Sequence, residues 1–439
     1  MAFLHSHSCE CAKSELDIFT LPGTQTSIEN SQWVCYNPVS SLGNDSPIEF
    51  VVPGQGEYYL DLAHTMLNIQ LVIVPNEKDA TNVGPVNNLL HSMFSQVDIF
   101  LNQKLVSPAN NSYPYRAYLE NLLNFGRDAQ NTFLNNSLWN PDTAGCMEDD
   151  HDSKKNTGLV ERCKWTAGGK TIDLISNLHC DLFNQDRFLI NGVEMRIRLV
   201  RTKDAFCLMD FTAGQKAYTH LKEATLLVRK VKLSPGILLA HANGLSRATA
   251  KYPLTRAEVK SFTLHSGVTS ETLDNVILGQ LPKRVIIGFV NNKAYNGHRK
   301  MNPFNFQNFS INYLSLFVDG LQIPSKPLQP NFGDAKNKGA YAAAYQTLFT
   351  GTGVHFGNET YTISRGNYPF GYCLFAFDLT PDLSAHYPSH WNLVKNGSIR
   401  IEVHFENALE STINCVLFSE YDNVLEIDSN RQVVTDFTS

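Results

Sequence analysis

The chain has 439 residues, of which 43% are hydrophobic, 11% aromatic and 18% charged. This composition excludes a disordered chain, and the length favours two domains of about 150–200 residues each. The formal net charge is -6, which excludes a global positive field that would draw the chain onto nucleic acid.

Nine cysteines are scattered along the sequence without a Cys-x-x-Cys pair. A disulfide framework or zinc ribbon is therefore not expected, and free thiols in a reducing compartment are. The amino terminus has no apolar run of signal-peptide length, and no segment reaches about 18 uninterrupted apolar residues. We therefore expect a soluble product made inside the cell.

The first 44 residues contain many Ser, Thr and Asn residues and few alternating segments, which predicts an amino-terminal arm. Two interpretations are open: a disordered tail, or an arm that becomes ordered on a neighbouring subunit. The apolar residues Leu16, Ile18, Phe19 and Leu21 favour the second.

Alternation of apolar and polar residues predicts strands along most of the chain. In Thr65–Val74, Leu67, Ile69, Leu71 and Ile73 share one side. The same alternation is found in six later segments: "MRIRLVR", "ATLLVRKVKL", "RVIIGFV", "YCLFAFDL", "IRIEVHF" and "INCVLFSEY".

The segment Phe94–Leu123 predicts a hairpin followed by a helix. Alternation runs up to a two-residue turn at Asn102-Gln103, and Lys104–Val106 form the returning strand. After a break at Ser107-Pro108, apolar residues recur at helical spacing from Tyr115 to Leu123.

The same order of elements recurs in the second half of the chain. The segment "NFSINYLSLFVDGLQIPSKPLQPNF" predicts a strand, a turn at Asp319-Gly320, and a returning strand that ends at Ile323-Pro324; residues 341–350 then show helical spacing. The turns at Asn102 and Asp319 are 217 residues apart, and the Asn-Gly pairs at Asn191 and Asn396 are 205 apart. The sequence therefore predicts one β-rich unit repeated twice.

Many short strands, turns of Gly, Asn and Asp, and long loops favour antiparallel sandwiches of Greek-key type. We predict an all-β fold of two tandem jelly-roll β-sandwich domains with short helices in loops. The expected divisions are an arm (1–44), a first jelly roll (45–235), a linker with a short helix (236–254), a second jelly roll (255–432) and a tail (433–439).

The paired segments "VDIFLNQKLV…YPYRAYLENLL" and "FSINYLSLFVDGLQIPSKPLQPNF" resemble those of the double-jelly-roll major capsid proteins of eukaryotic DNA viruses, virophages and Maverick/Polinton-type elements. The stretches "MAFLHSHSCECAKSELDIFTLPGTQTSIE", "ATAKYP" and "LFAFDLTPDLSA" are similar to those of capsid-like proteins in animal genomes. The resemblance covers nearly the whole chain.

The resemblance implies a structural subunit that forms pseudo-hexameric homotrimers, which tile an icosahedral virus-like shell. Its implied partners are neighbouring capsid trimers and penton or minor capsid proteins, without specific nucleic-acid binding, and its implied location is the virion after synthesis in the cytoplasm or nucleus. Deleting residues 1–22 should then leave trimers folded and impair shell formation. The alternatives are a host-retained capsid-like protein that no longer assembles, and a secreted-type double-jelly-roll carbohydrate-binding module or enzyme.

The sequence supports no catalytic, cofactor or metal site. His5, His7, Cys9 and Cys11 alternate, and an extended strand would spread four such ligands over about 20 Å, which suits a tetrahedral zinc site poorly. Three other patterns favour ordinary structural roles. "HYPSH" has His386 and His390 at the spacing of a helical metal pair, but Pro388 between them favours a loop. "GGKT" (Gly168–Thr171) lacks the first glycine of a phosphate-binding loop. "EDDHDSKK" (Glu148–Lys155) lacks the residue spacing of a calcium-binding loop and favours a solvated tip between strands.

Overall fold

The computed structural model of the chain describes residues 7–9, 11, 13–43, 46–54, 56–74, 83–107, 111–211, 216–333, 339–354 and 361–435. Strands in the first half are β1 (Ile28–Tyr36), β2 (Ile48–Val52), β3 (Tyr58–Val74), β4 (Val83–Pro85), β5 (Phe94–Leu101), β6 (Lys104–Leu105), β7 (Thr171–Asn177), β8 (Met195–Arg201), β9 (Leu208–Asp210) and β10 (Tyr218–Leu233). Strands in the second half are β11 (Ala250–Leu264), β12 (Ser270–Gln280), β13 (Arg284–Asn291), β14 (Phe306–Gln307), β15 (Ile311–Val318), β16 (Leu321–Leu328), β17 (Phe370–Gly371), β18 (Leu374–Asp378), β19 (Asn396–Phe405), β20 (Ile413–Ile427) and β21 (Val433–Thr435).

Short helices occupy the connections. They are α1 (Leu89–Ser92), α2 (Tyr113–Asn124), α3 (Arg127–Asn131), α4 (Thr157–Thr166), α5 (Asp204–Cys207), α6 (Pro235–Leu245), α7 (Asn292–Tyr295) and α8 (Ala342–Thr350), with 3-10 turns at Ser14–Leu16, Phe133–Ser137, Ala167–Gly169 and Asp181–Phe183. Within the described ranges, no helix is long and apolar enough to cross a membrane.

Both halves have the strand order of a jelly roll. In the first half, β1-β10-β3-β7 form one sheet and β2-β8-β5-β6 the other. In the second half, β11-β20-β13-β18 and β12-β19-β15-β16 repeat both orders strand for strand, and β21 extends the first of them. The two sheets of each half face one shared core, with alternate β3 residues such as Leu67, Ile69 and Leu71 fully buried. The predicted all-β fold of two tandem jelly-roll sandwiches is confirmed.

The repeated hairpins also lie where the sequence predicts them. β5 and β6 meet at Asn102 (φ 46°) and Gln103 (φ 69°), and β15 and β16 meet at Asp319 (φ 50°) and Gly320 (φ 82°). Both turns use two consecutive left-handed residues, which match the twist of the flanking strands. The helices α2 and α8 follow them as expected.

The two jelly rolls stand side by side with the same orientation. We call the end that carries the turns at Asn102 and Asp319 the base. The first residues of β1 and β11 and the last residues of β10 and β20 lie at this same end. We call the interface between the two jelly rolls the seam. At its base, Arg431 Nε donates to Asn191 O at 2.7 Å, and Asn102 Nδ2 donates to Arg431 O at 2.8 Å. At the opposite end, Arg299 Nη1 donates to Ala217 O at 2.6 Å.

The structure corrects the extent of the predicted arm. Within residues 1–44, β1 pairs with β10 from Ile28 to Tyr36, so this segment is a strand of the first jelly roll. β1 carries no fully buried residue and therefore lacks the alternation that reveals other strands.

Two proline-containing segments were placed wrongly. β11 begins at Ala250, inside the predicted linker, and runs through Pro253, and β16 continues through Pro324 to Leu328. Both are edge strands of their sheets, where a proline removes no hydrogen bond that the sheet needs. β21 likewise pairs with β20 at residues assigned to the tail.

Candidate assembly surfaces

The seam between the jelly rolls begins with an aromatic cluster around α2. Pro114 at the first turn of α2 suits a helix start, and the helix buries nearly every side chain. Tyr115 stacks on Tyr295 with ring centroids 5.3 Å apart, and Tyr118 lies parallel to Phe304 at 4.3 Å. The apolar stripe that the sequence predicts on α2 is therefore buried against the second jelly roll as well as the first.

A buried charge network fixes β11 to the first jelly roll. Arg116 on α2 pairs with Asp181 at 2.7 Å and with Glu120 at 2.8 Å. Asp181 Oδ1 accepts the backbone N–H of Ala257 on β11 at 3.0 Å, and Arg116 donates to the Ala257 carbonyl at 3.4 Å. Burial alone would raise the pKa of Glu120, but Arg116 and a hydrogen bond from His179 outweigh burial and lower this pKa to about 2.

A second buried network joins the halves away from the base. Arg162 on α4 pairs with Asp142 at 2.6 Å, and neither side chain is more than 1% exposed. Asn302, from the second half, donates to Asp142 Oδ2 at 2.9 Å, and the Tyr372 hydroxyl donates to the Asp142 carbonyl at 2.5 Å. The seam thus combines aromatic packing with buried, hydrogen-bonded ion pairs that link the two halves.

A cleft of about 630 Å³ opens beside α2 and is the place to look for a catalytic pair. Its carboxylates are Glu120, paired with Arg116, and Glu420, which lies 3.6 Å from Arg284. Since both carboxylates are engaged in ion pairs, the cleft gives no support to an acid-base site.

The His and Cys residues of the sequence motifs do not come together in the fold. His5 lies outside the described residues, whereas His7, Cys9 and Cys11 are exposed. His386 and His390 lie in a loop, as predicted, and His390 Nε2 is 2.9 Å from Asp382. Among the residues that the structure describes, no group of three or more His, Cys, Asp or Glu side chains is placed to hold a metal ion.

Two further motifs are placed as follows. Gly168 and Gly169 join α4 to β7, the reverse of the strand-to-helix order of a phosphate-binding loop. The acidic run precedes α4 instead of lying between strands, and burial raises the pKa of Glu148, whose carboxylate accepts from Asn305 at 3.2 Å. Glu148 therefore belongs to the seam, whereas residues 152–155 are exposed to solvent as predicted.

Equivalent strands of the two halves differ in burial. β11 buries Tyr252, Leu254, Ala257 and Val259, whereas β1 leaves Trp33 49% exposed and buries no residue fully. The difference arises because α2 and residues 178–194 of the first jelly roll cover β11, and no described part of the chain covers β1 in this way.

The second jelly roll exposes the counterparts of the covering elements. Its loop 379–395 corresponds to 178–194, since each joins equivalent strands. Large apolar side chains are exposed along this loop, with Leu393 at 88%: Leu383, Tyr387, Trp391, Leu393 and Val394. Tyr341 and Tyr345, beside and on α8, are only half-buried. Sequence reasoning missed this surface, because apolar residues in a loop look like core residues until burial is known.

A third apolar surface lies at the base, where the arm leaves the fold. Ser234 N donates to Ser27 O at 2.9 Å, so the start of β1 lies beside the start of α6. α6 has no buried and no charged residue, and Leu239 projects from it at 63% exposure. The arm side chains Leu16, Ile18, Phe19 and Leu21 are 74–92% exposed.

The chain is similar in sequence to one curated protein and in fold to several solved viral structures. No protein-family model matches the chain. An uncharacterized protein of Caenorhabditis elegans is 27% identical over 435 residues, which cover 95% of this chain and 99% of that protein.

Solved viral structures share the fold at low sequence identity. A chain of the Sputnik virophage cryo-EM structure matches with a TM-score of 0.65 and 12% identity, over 98% of this chain and 94% of that chain. The Faustovirus major capsid protein matches with a TM-score of 0.56 and 8% identity, over 94% and 92% of the two chains. The mavirus major capsid protein matches with a TM-score of 0.51 and 13% identity, over 100% and 97%. The chain therefore has the double-jelly-roll fold that is found in these viral major capsid proteins.

Proposed function

We propose that the chain is a major capsid protein, a structural and non-enzymatic subunit that associates as a homotrimer, and that its trimers tile an icosahedral virus-like shell. The fold shared with the Faustovirus and mavirus capsid proteins supports the capsid role. The observation that carries the trimer is the difference between β11, which is covered, and β1, which is not.

The seam provides the pattern for contacts between chains. Inside the chain, α2 and residues 178–194 of the first jelly roll cover β11. The equivalent elements of the second jelly roll, α8 and residues 379–395, expose apolar side chains, and the equivalent strand β1 exposes Trp33. These two exposed surfaces correspond to the two sides of the seam. The surface formed by α8 and residues 379–395 of one chain can therefore cover β1 of the next chain, as α2 and residues 178–194 cover β11 within the chain.

A contact of this kind is head-to-tail, since one patch of a chain meets a different patch of its neighbour. Head-to-tail contacts close into a ring when the rotation between units divides a full turn evenly. With two jelly rolls per chain, three chains supply six similar units around a ring. This pseudo-hexagonal outline allows trimers to pack against one another in a shell.

The partners proposed on this basis are copies of the same chain, neighbouring trimers, and the penton or minor capsid proteins that fill positions a pseudo-hexagon cannot. The net charge of -6 supports a shell that encloses its genome without specific nucleic-acid contacts. The proposed location is the virion. We propose the jelly-roll units as β1 to β10 and β11 to β21, joined through α6.

The test measures mass by light scattering, with negative-stain images of the same fractions. The wild-type chain should give a mass of about three times 49.2 kDa and, at higher concentration, closed shells of hexagonal units. Leu393→Asp, which places a charge on the proposed contact, should give a folded monomer. Trp165→Ser removes an exposed apolar side chain from α4, outside the proposed contact, and should leave the trimer intact.

The outcomes separate the alternatives. A strictly monomeric wild-type chain would refute the proposal and favour the carbohydrate-module alternative, whereas trimers that never form shells would favour the host-retained copy. A Leu393→Asp variant that stays trimeric would move the contact away from loop 379–395.

A further inference from the structure

We propose that the arm segment Ser14–Pro22 of one chain docks on α6 of a second copy of this chain, and that the two copies exchange arms reciprocally. This inference rests on the proposed capsid function, because it concerns contacts between trimers. It names a receptor for the arm and does not involve the surface proposed for the trimer ring.

The two surfaces match in chemistry. The segment "SELDIFTLP" carries the exposed Leu16, Ile18, Phe19 and Leu21, with acidic residues and no basic one. The exposed residues of α6 are Pro235, Leu239, the alanines and glycines, His241 and Asn243, with no Asp, Glu, Lys or Arg among them, and the exposed Arg247 follows its last turn. An acidic apolar segment thus faces an apolar helix that ends in a basic residue.

The spacing along both partners agrees once the turns of the arm open on docking. Leu239 and Arg247 are eight residues apart, which is roughly 12 Å at the rise of a helix. The free arm has a 3-10 turn at Ser14–Leu16, and Asp17 accepts the Thr20 backbone N–H at 3.2 Å; when extended, Glu15 to Phe19 span at most about 13 Å. An arm that runs antiparallel to α6 with Phe19 on Leu239 then brings Glu15 near Arg247.

The arm is not packed on α6 of its own chain, since its apolar side chains and Leu239 of α6 are all exposed. The Gln25 side chain accepts from Ile28 N at 2.8 Å and donates to Ile28 O at 3.2 Å, which anchors the arm where it joins β1. Ten residues separate Ile18 from Ile28, which corresponds to at most about 33 Å of extended chain. This length allows the apolar side chains to reach a neighbouring copy.

The location of donor and receptor explains why the exchange is reciprocal. The arm leaves the fold beside the start of its own α6, through the Ser234–Ser27 hydrogen bond. When two copies meet around a twofold axis at this point, each arm reaches the other copy's α6 and both contacts form together.

The experiment is a disulfide trap between two differently tagged chains in which Cys9, Cys11 and Cys35 are replaced by Ser. One chain carries Phe19→Cys and the other Leu239→Cys. Mixed trimers at assembly concentration should give a cross-linked product that contains both tags, and Trp165→Cys in place of Leu239→Cys should give none. Cross-links only within one chain, or none at all, would overturn the proposal.

A charge exchange tests the register without cysteines. Glu15→Lys or Arg247→Glu alone should weaken association between trimers about tenfold or more, measured by sedimentation, and the double variant should recover most of the loss. No recovery in the double variant would contradict the proposed register. All these variants should remain trimeric, so a failed trap in intact trimers refutes the arm contact, whereas a wild-type chain without trimers refutes the capsid proposal itself.

Discussion

Replacing Asp142 by alanine is the sharpest test of the seam, because it leaves a buried cation without its partner. Asp142 Oδ1 accepts from Arg162 at 2.6 Å and from Asn156 Nδ2 at 2.8 Å, and its Oδ2 accepts from Asn302 at 2.9 Å. Arg162 is 0% exposed and cannot turn to water. It keeps its hydrogen bonds to the carbonyls of Pro85 and Asn140.

The magnitude follows from the charge left behind. Removing one partner of a buried ion pair costs about 3–5 kcal/mol of unfolding free energy, since the other charge stays desolvated. Asn156 and Asn302 each lose an acceptor as well, so we expect Asp142→Ala to lower the free energy of unfolding by about 3–5 kcal/mol. Asp142→Asn keeps the shape and one oxygen but not the charge, and it should fall between the wild type and Asp142→Ala.

The assay is urea unfolding followed by tryptophan fluorescence. Trp139 is fully buried and its ring lies 5.3 Å from that of Tyr118, so its emission reports on the seam, whereas the other three tryptophans are exposed. Glu161→Ala is the matched control, because Glu161 belongs to a solvent-exposed pair with Lys164 on the same helix as Arg162, and such pairs contribute about 0–1 kcal/mol. If Asp142→Ala unfolds within 1 kcal/mol of Glu161→Ala, the assignment of a buried, stabilising network is refuted.

Three further predictions address other parts of the molecule. Burial, and secondarily the charge of His179, lower the pKa of His91 well below 6.5. The free energy of unfolding that neutral His91 contributes is therefore fully present above pH 6.5. It is lost as the pH falls below 6.5, by up to about 1.4 kcal/mol per pH unit. His91→Gln should flatten that part of the curve of unfolding free energy against pH, and an unchanged slope below pH 6.5 would contradict the explanation. Gly288→Ala places a Cβ 2.5 Å from Phe306 Cδ1 and should reduce the free energy of unfolding by about 1–3 kcal/mol, which a lower melting temperature would report. Gly236→Ala on α6 meets nothing within 4 Å and should leave the melting temperature unchanged. A thiol reagent should modify the exposed Cys9, Cys11 and Cys35 quickly, whereas five buried cysteines should react only on unfolding. Burial raises the pKa of each of these five thiols: Cys163 (to about 11), Cys180, Cys207 (to about 12), Cys373 and Cys415 (to about 12). Rapid loss of more than four thiols from the folded protein would contradict the buried positions.

Local rules were sufficient for the elements that they govern. Two left-handed residues in succession favour Asn, Asp or Gly, and each turn begins with such a residue, Asn102 or Asp319, between alternating segments, so both turns can be located from sequence even though Gln103 is the second residue of the first. Helical spacing between a proline and a glycine likewise located α2. The repeat followed from these elements because their order is the same in both halves.

Local rules failed where a strand depends on a distant partner. β1 has no buried face in the single chain, so no periodicity marks it, and the prolines of β11 and β16 look like strand breaks until their edge positions are known. The seam was equally hidden, because the spacing of Tyr115 and Tyr118 on α2 shows that one face is buried but not that Tyr295 and Phe304 cover it.

The contrast between the seam and the exposed surfaces has a physical reason. The halves of one chain meet at the high effective concentration that a short connection provides, so the seam can accommodate buried ion pairs such as Arg116 with Asp181, whose desolvation cost offsets much of their attraction. Separate chains must also overcome the loss of translational and rotational freedom on association. That requirement favours apolar side chains in place of buried charges, and loop 379–395 presents Trp391 and Leu393 where the seam has its charge network. In the proposed trimer, a duplicated jelly roll would thus keep one geometry of contact and use two chemistries for it: aromatic and charged within the chain, and apolar between chains.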